Sequence, residues 1–111
     1  MAEDVGQARR RATTTRMVRV VWTKLAIDRL ESIRSYISIS NPYAADRLAG
    51  RIFAAGQSLS EFPRRGRPAR DDCRELVVHR SYVILYQISA ETVSILDVRH
   101  AAQLQDEPGQ P

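Results

Sequence analysis

The stretch Tyr82-Val83-Ile84-Leu85-Tyr86-Gln87-Ile88 decides how this chain folds. It is a short, nearly unbroken apolar run, rich in β-branched and aromatic residues and free of Gly and Pro. That composition fits a central strand with both faces largely covered better than it fits a surface helix. Arg74-Glu75-Leu76-Val77-Val78-His79 leads into it, and Thr92-Val93-Ser94-Ile95-Leu96-Asp97-Val98-Arg99 leads out. The links, Arg80-Ser81 and Ser89-Ala90-Glu91, are too short for a parallel crossover, which needs about a dozen residues. Three strands in an antiparallel meander follow. Neither link carries Asn-Gly or Asp-Gly, so the turn types stay open.

Everything upstream reads as cover for this sheet. Met17-Val18-Arg19-Val20-Val21-Trp22 is β-rich and makes a first strand. Thr23 is placed to cap a helix in which Ala26, Ile27, Leu30, Ile33 and Ile37 recur at spacings of three and four. That helix stops near Ser38 to Ser40. Asn41 then caps a second helix with Pro42 in its first position. Its stripe is Ala45, Leu48, Ile52, Ala55 and Leu59, and Phe62-Pro63 ends it, because the residue before Pro avoids helical geometry. Gly50 and Gly56 weaken this helix but leave room for close packing on the first. The expected fold is therefore α+β: an N-terminal strand, an antiparallel helix hairpin, then the meander.

A chain of 111 residues with 43% hydrophobic content builds one domain around one core. Residues 1–16 lack apolar periodicity, contain Arg9-Arg10-Arg11, and read as a disordered basic tail; 17–102 are the domain and 103–111 a frayed end. No apolar run approaches the ~20 residues of a membrane span, and the single cysteine, Cys73, has no intrachain partner. A cytoplasmic protein with no membrane contact is the simplest expectation. The net charge of +4 points to an acidic partner, either nucleic acid or protein.

No phosphate-cradling glycine loop and no metal-ligand cluster is visible, so no cofactor, metal or catalytic set is expected. The densest positive run is Pro63-Arg64-Arg65-Gly66-Arg67-Pro68-Ala69-Arg70-Asp71-Asp72. Pro and Gly hold such a loop exposed, and arginine matches phosphate or carboxylate with two parallel hydrogen bonds. Arg74, His79, Arg80, Arg99 and His100 are expected to converge on it along the sheet. Cleaving RNA without metal needs a base for the 2′-hydroxyl, cations for the crowded phosphate and an acid for the leaving oxygen. Arginine serves only the second role, and the one lysine, Lys24, opens the first helix.

Taken in order, several segments resemble the RelE/ParE toxins of type II toxin–antitoxin systems. They are Phe62-Pro63, Gly66-Arg67-Pro68, Arg74-Glu75-Leu76, Tyr82-Val83-Ile84-Leu85-Tyr86 and Ile95-Leu96-Asp97-Val98-Arg99-His100. The resemblance spans about Val18 to Ala102. RelE-like members cut mRNA on the ribosome, whereas ParE-like members inhibit DNA gyrase. The nuclease pattern has lysines in the first meander strand, an arginine after the central tyrosine, and an arginine and tyrosine beyond the last strand. Here the first meander strand has no lysine, Val83 follows Tyr82, and Ala101-Ala102-Gln103-Leu104 follows His100. The resemblance thus implies the ParE-like branch, although ParE-like chains commonly have Gly after the His and Arg soon afterwards. It implies gyrase inhibition by binding, with Arg64, Arg65, Arg67, Arg70, Arg74, Arg99 and His100 as target contacts. It also implies a cognate antitoxin with an acidic, amphipathic C-terminal segment, forming a hetero-oligomeric complex. Groove candidates for that segment are Ile27, Leu30, Leu48, Ile52 and Tyr86. Two rival expectations are a ribosome-dependent mRNA endonuclease and a non-toxic interaction module on the same fold.

Overall fold

Strand β1 (Arg19–Trp22) is the first element, and Thr23 converts it directly into a helix. A computed structural model describes residues 17–79 and 82–101; the expected basic tail, the Arg80-Ser81 turn and the frayed end lie outside these. The Thr23 hydroxyl accepts the Ala26 amide at 3.1 Å, capping α1 (Lys24–Ser38) as its position in the sequence requires. The Asn41 side chain accepts the Ala44 amide at 3.0 Å and caps α2 (Pro42–Gln57), with Pro42 opening the helix. A 3₁₀ turn at Ser58–Ser60 follows, so Leu59 belongs to this turn rather than to α2. Next come a short β2 (Arg67–Pro68), a second 3₁₀ turn (Arg70–Asp72), β3 (Cys73–His79), β4 (Tyr82–Ser89) and β5 (Thr92–His100).

The sheet is larger than a three-stranded meander. Its order is β1-β5-β4-β3-β2, with β1 parallel to β5 and every other pairing antiparallel. The intervening helix hairpin supplies the long crossover that a parallel pair needs. The β4–β5 register jumps from Leu85↔Asp97 to Tyr86↔Ile95, leaving Leu96 as an extra residue. Thr23 sits against this bulge: its amide reaches the Ile95 carbonyl at 3.0 Å, and its hydroxyl lies 3.0 and 3.2 Å from the Ile95 and Leu96 carbonyls. One residue thereby ends β1, starts α1 and meets the bulged carbonyls of β5.

The core lies between the helix hairpin and one sheet face. Ala26, Ile52, Leu59, Leu76, Ile84, Tyr86, Val93, Ile95 and Val98 are buried together there. The Trp22 ring stacks on Phe53 of α2 with centroids 5.4 Å apart, and its Nε1–H donates to Gln57 Oε1 at 2.9 Å. This contact explains Gly56 and corrects the expectation that it packs on α1. A Cβ on Gly56 would lie 2.5 Å from the Trp22 ring and 2.9 Å from Ile95. Gly50 has nothing within 4 Å, so helix contact explains neither glycine.

Opposite outcomes follow at these two positions. Gly50→Ala should raise stability by about 1 kcal/mol through helix propensity alone. Gly56→Ala should lower it by about 1–3 kcal/mol, since the methyl group must displace an indole held by two contacts. Urea denaturation of both variants beside the parent checks the sign at each site.

Candidate functional site

The arginine run forms a braced loop rather than a loose connector. At its centre is the Tyr86 hydroxyl, from a side chain fully buried in the core. It donates to the Pro63 carbonyl at 2.7 Å and accepts the Gly66 amide at 2.8 Å. Gly66 is required there, because a Cβ would come within 2.7 Å of the Glu75 carbonyl oxygen and 2.8 Å of the Tyr86 hydroxyl. From β3, Arg74 Nη1 donates to the carbonyls of Gly66 at 2.6 Å and Arg64 at 3.4 Å. Arg65 Nη1 donates to Ser58 Oγ at 2.6 Å, joining the loop to the end of α2. Arg67 pairs with Glu75 at 3.1 Å, and β2 is held on β3 in the register Arg67↔Glu75, Pro68↔Arg74.

These contacts divide the arginines by role. Arg74 is partly buried and holds backbone, so it braces the loop from behind. Arg64 and Arg70 are exposed and enter no ion pair among the described residues. Arg67 remains 69% exposed despite its bond to Glu75. Asp71 and Asp72 close the run with φ of 55° and 60°, a left-handed backbone that Asp tolerates better than most residues. The Asp71 carbonyl accepts from Gln87 Nε2 at 3.3 Å and from the Cys73 thiol at 3.6 Å. Burial pushes the Cys73 thiol above its ordinary pKa, and Asp71 and then Asp72 add charge repulsion in the same direction.

Arg99 and His100 do not join this loop. The loop meets the Tyr86 end of β4 through Arg74, whereas Arg99 pairs in register with Val83 and His100 with Tyr82. That is three and four residues along the strand, or about 10–13 Å, on the far side of β4. As neighbours in one strand they also point to opposite faces of the sheet, so they are two separate contacts. Asp97, 4% exposed, takes Arg29 Nε of α1 at 3.1 Å on one carboxylate oxygen and Arg99 Nε at 3.0 Å on the other, while the Val98 amide donates at 2.8 Å. Beyond it His79, Tyr82 and His100 occupy one row across three strands. The His100 ring meets Tyr82 edge-on, with centroids 5.1 Å apart. Burial raises the Tyr82 hydroxyl pKa, and Tyr36 adds to the shift.

The groove candidates separate as well. Ile27 is 47% exposed, and Leu30 and Leu48 are half-buried against the core. Ile52 and Tyr86 are wholly enclosed, which removes both from any partner-facing surface. The helical stripe and the apolar strand that suggested them are the core itself. Asp97 was missed as a site residue, and Phe62, 61% exposed, was not singled out. Asp97 had a signal, an acid interrupting an apolar strand two residues before an arginine. Phe62 read only as a helix stop.

Comparison with known proteins places this architecture. It superposes on a protein of the chromosomal ParDE system from P. aeruginosa with a TM-score of 0.68 at 21% identity, covering 76% of this chain and 96% of that one. For the toxin–antitoxin complex RelBE2 of Mycobacterium tuberculosis the TM-score is 0.57 at 25% identity, covering 76% and 91%. The fold is thus that of the RelE/ParE superfamily. Residues 20–105 match the ParE toxin of type II toxin–antitoxin system, parDE, and the chain belongs to that family. Toxin RelE2 of Caulobacter vibrioides is 48% identical over 88 residues, 79% of this chain and all of the relative.

Tyr86→Phe should cost about 1–3 kcal/mol, since the Gly66 amide and the Pro63 carbonyl lose a buried partner. Faster amide exchange at Gly66 would localise that loss to the loop. For Cys73, the thiolate is the reactive form, so a raised pKa moves the pH midpoint of alkylation upward. Rates with iodoacetamide should therefore rise later with pH in the folded chain than in urea. Asp71→Asn with Asp72→Asn should bring the midpoint partly back, leaving the contribution of burial.

Proposed function

We propose that this chain is a type II toxin that acts by binding DNA gyrase in the cytoplasm and is neutralised by a cognate antitoxin. The observation that supports binding over RNA cleavage is Val83. It lies where the nuclease pattern has arginine, and it is 4% exposed between Val77 and Arg99. A valine enclosed in the sheet offers a scissile phosphate nothing. The only lysine, Lys24, is engaged with Asp28 at 3.2 Å on the first turn of α1 and is not part of the His79–Tyr82–His100 row. No residue is assigned a catalytic role. Arg64, Arg65, Arg67 and Arg70 remain the target contacts, with Arg99 and His100 each apart from them. The ParDE and RelBE2 structures belong to toxin–antitoxin systems, which supports an antitoxin partner here. Ile27, with the edges of Leu30 and Leu48, is the apolar surface offered to it, and the positive charge favours an acidic segment through association rate and specificity.

One arrangement favours a second reading. His79, Tyr82 and His100 share a row, and imidazole and phenol are groups able to move protons. Ribosome-dependent mRNA cleavage would use that row, and the relative's name, RelE2, is compatible with it.

Expression of the chain alone should arrest growth, and the Arg65→Ala, Arg67→Ala, Arg70→Ala variant should relieve the arrest. Purified chain should block supercoiling by purified gyrase, at about 10-fold or more higher concentration for the triple variant, equivalent to at least about 1.4 kcal/mol of binding. Unchanged supercoiling together with codon-positioned mRNA cuts in translating extracts, abolished by His100→Ala, would replace this reading with the second. An absence of any growth effect would leave a non-toxic interaction module.

A further inference from the structure

Three features of the arginine loop choose between the two acidic partners that its charge allows. The first is its edge. β2 is the last strand of the sheet, and Pro68 within it has no N–H to donate, so a peptide cannot extend the sheet there as a fully bonded strand. Recognition at this edge falls to side chains. The second is the composition of the exposed surface. Protein interfaces centre on buried aromatic or aliphatic anchors ringed by polar groups. Between residues 64 and 70 the side chains other than arginine are only Pro68 and Ala69. The third is Phe62, which is 61% exposed immediately before the run. An open aromatic two residues before a run of exposed arginines offers the two groups that hold an unpaired base and its flanking phosphates.

We propose that the exposed flank formed by Phe62, Arg64, Arg67 and Arg70 is a sequence-independent nucleic-acid contact. The arginines take backbone phosphates, and Phe62 stacks on an unpaired or unstacked base. The brace behind the flank keeps the cost of ordering low, because Tyr86 and Arg74 have already fixed the backbone. Asp71 and Asp72 bound the surface, since phosphate is repelled past Arg70. The inference deepens the proposed function, resting on the loop as the target-facing surface. Gyrase works on DNA, so such a contact belongs in the same assembly.

The test is fluorescence anisotropy with the purified full chain, a labelled single-stranded oligonucleotide and no gyrase. Three phosphate contacts on a single strand give a salt slope of about −2, so binding should weaken about 20-fold between about 50 and about 200 mM salt. Replacing Arg64, Arg67 and Arg70 with Gln should weaken binding strongly and flatten the slope of what remains, whereas replacing them with Lys should keep the slope. Phe62→Ala should weaken binding about 10-fold with the slope unchanged. Failure to bind the oligonucleotide overturns the inference. So does polyglutamate binding as tightly through the same residues, which would assign the loop to an acidic protein. A chain that inhibits gyrase without binding nucleic acid loses this inference and keeps the function. One that binds with the expected slope and leaves gyrase alone does the reverse.

Discussion

A single phenol in the core, the Tyr86 hydroxyl, governs the shape of the exposed end of this protein. A buried hydroxyl must find partners, because leaving it unsatisfied costs more than a hydrogen bond returns. Here the partners belong to the loop after α2, the Pro63 carbonyl and the Gly66 amide. The most enclosed strand of the sheet therefore dictates where an arginine-rich surface segment lies. Gly66 completes the constraint, since its missing side chain lets the loop backbone touch both Glu75 and the phenol. Arg74 then spends its charge on loop carbonyls, leaving the remaining arginines facing outward.

The opposite edge of the sheet depends on an analogous economy of contacts around Thr23 and Trp22. Thr23 caps α1 while its backbone and hydroxyl meet the carbonyls at the β5 bulge. Trp22 fills the notch left by Gly56 and bonds Gln57, so β1 is pinned to α2 as well as to β5. Between the two edges, Asp97 pairs with Arg29 from α1 and Arg99 from its own strand. A carboxylate this enclosed is held by two guanidinium groups and an amide, which is the arrangement that makes a buried charge tolerable.

The elements were legible because each rests on local chemistry. The two helix caps, Thr23 and Asn41, and the Pro42 start are read from residue type and spacing alone, and they stand as expected. The pairing of β1 with β5 was not legible, since it depends on the path of two helices and not on any pattern within β1. The same holds for the site. Exposed arginines between Pro and Gly announce a loop, but only the fold shows that Arg74 faces backward and that Arg99 and His100 lie away from it. Ile52 and Tyr86 show why apolar stripes mislead about binding surfaces. Periodicity finds the covered face of a helix or strand and is silent on whether the chain itself or a partner does the covering.

The parallel pairing of β1 with β5 also sets an order of events during synthesis. The first strand emerges early, yet its partner is the last strand of the sheet, with Thr92 to Ile95 as its paired residues. Closing so long a loop must precede the contacts that reward it. Until β5 is made, α1 and α2 have no complete sheet to cover, and Thr23 lacks the carbonyls it will meet. Nearly the whole domain must therefore be translated before its first strand has a place to go.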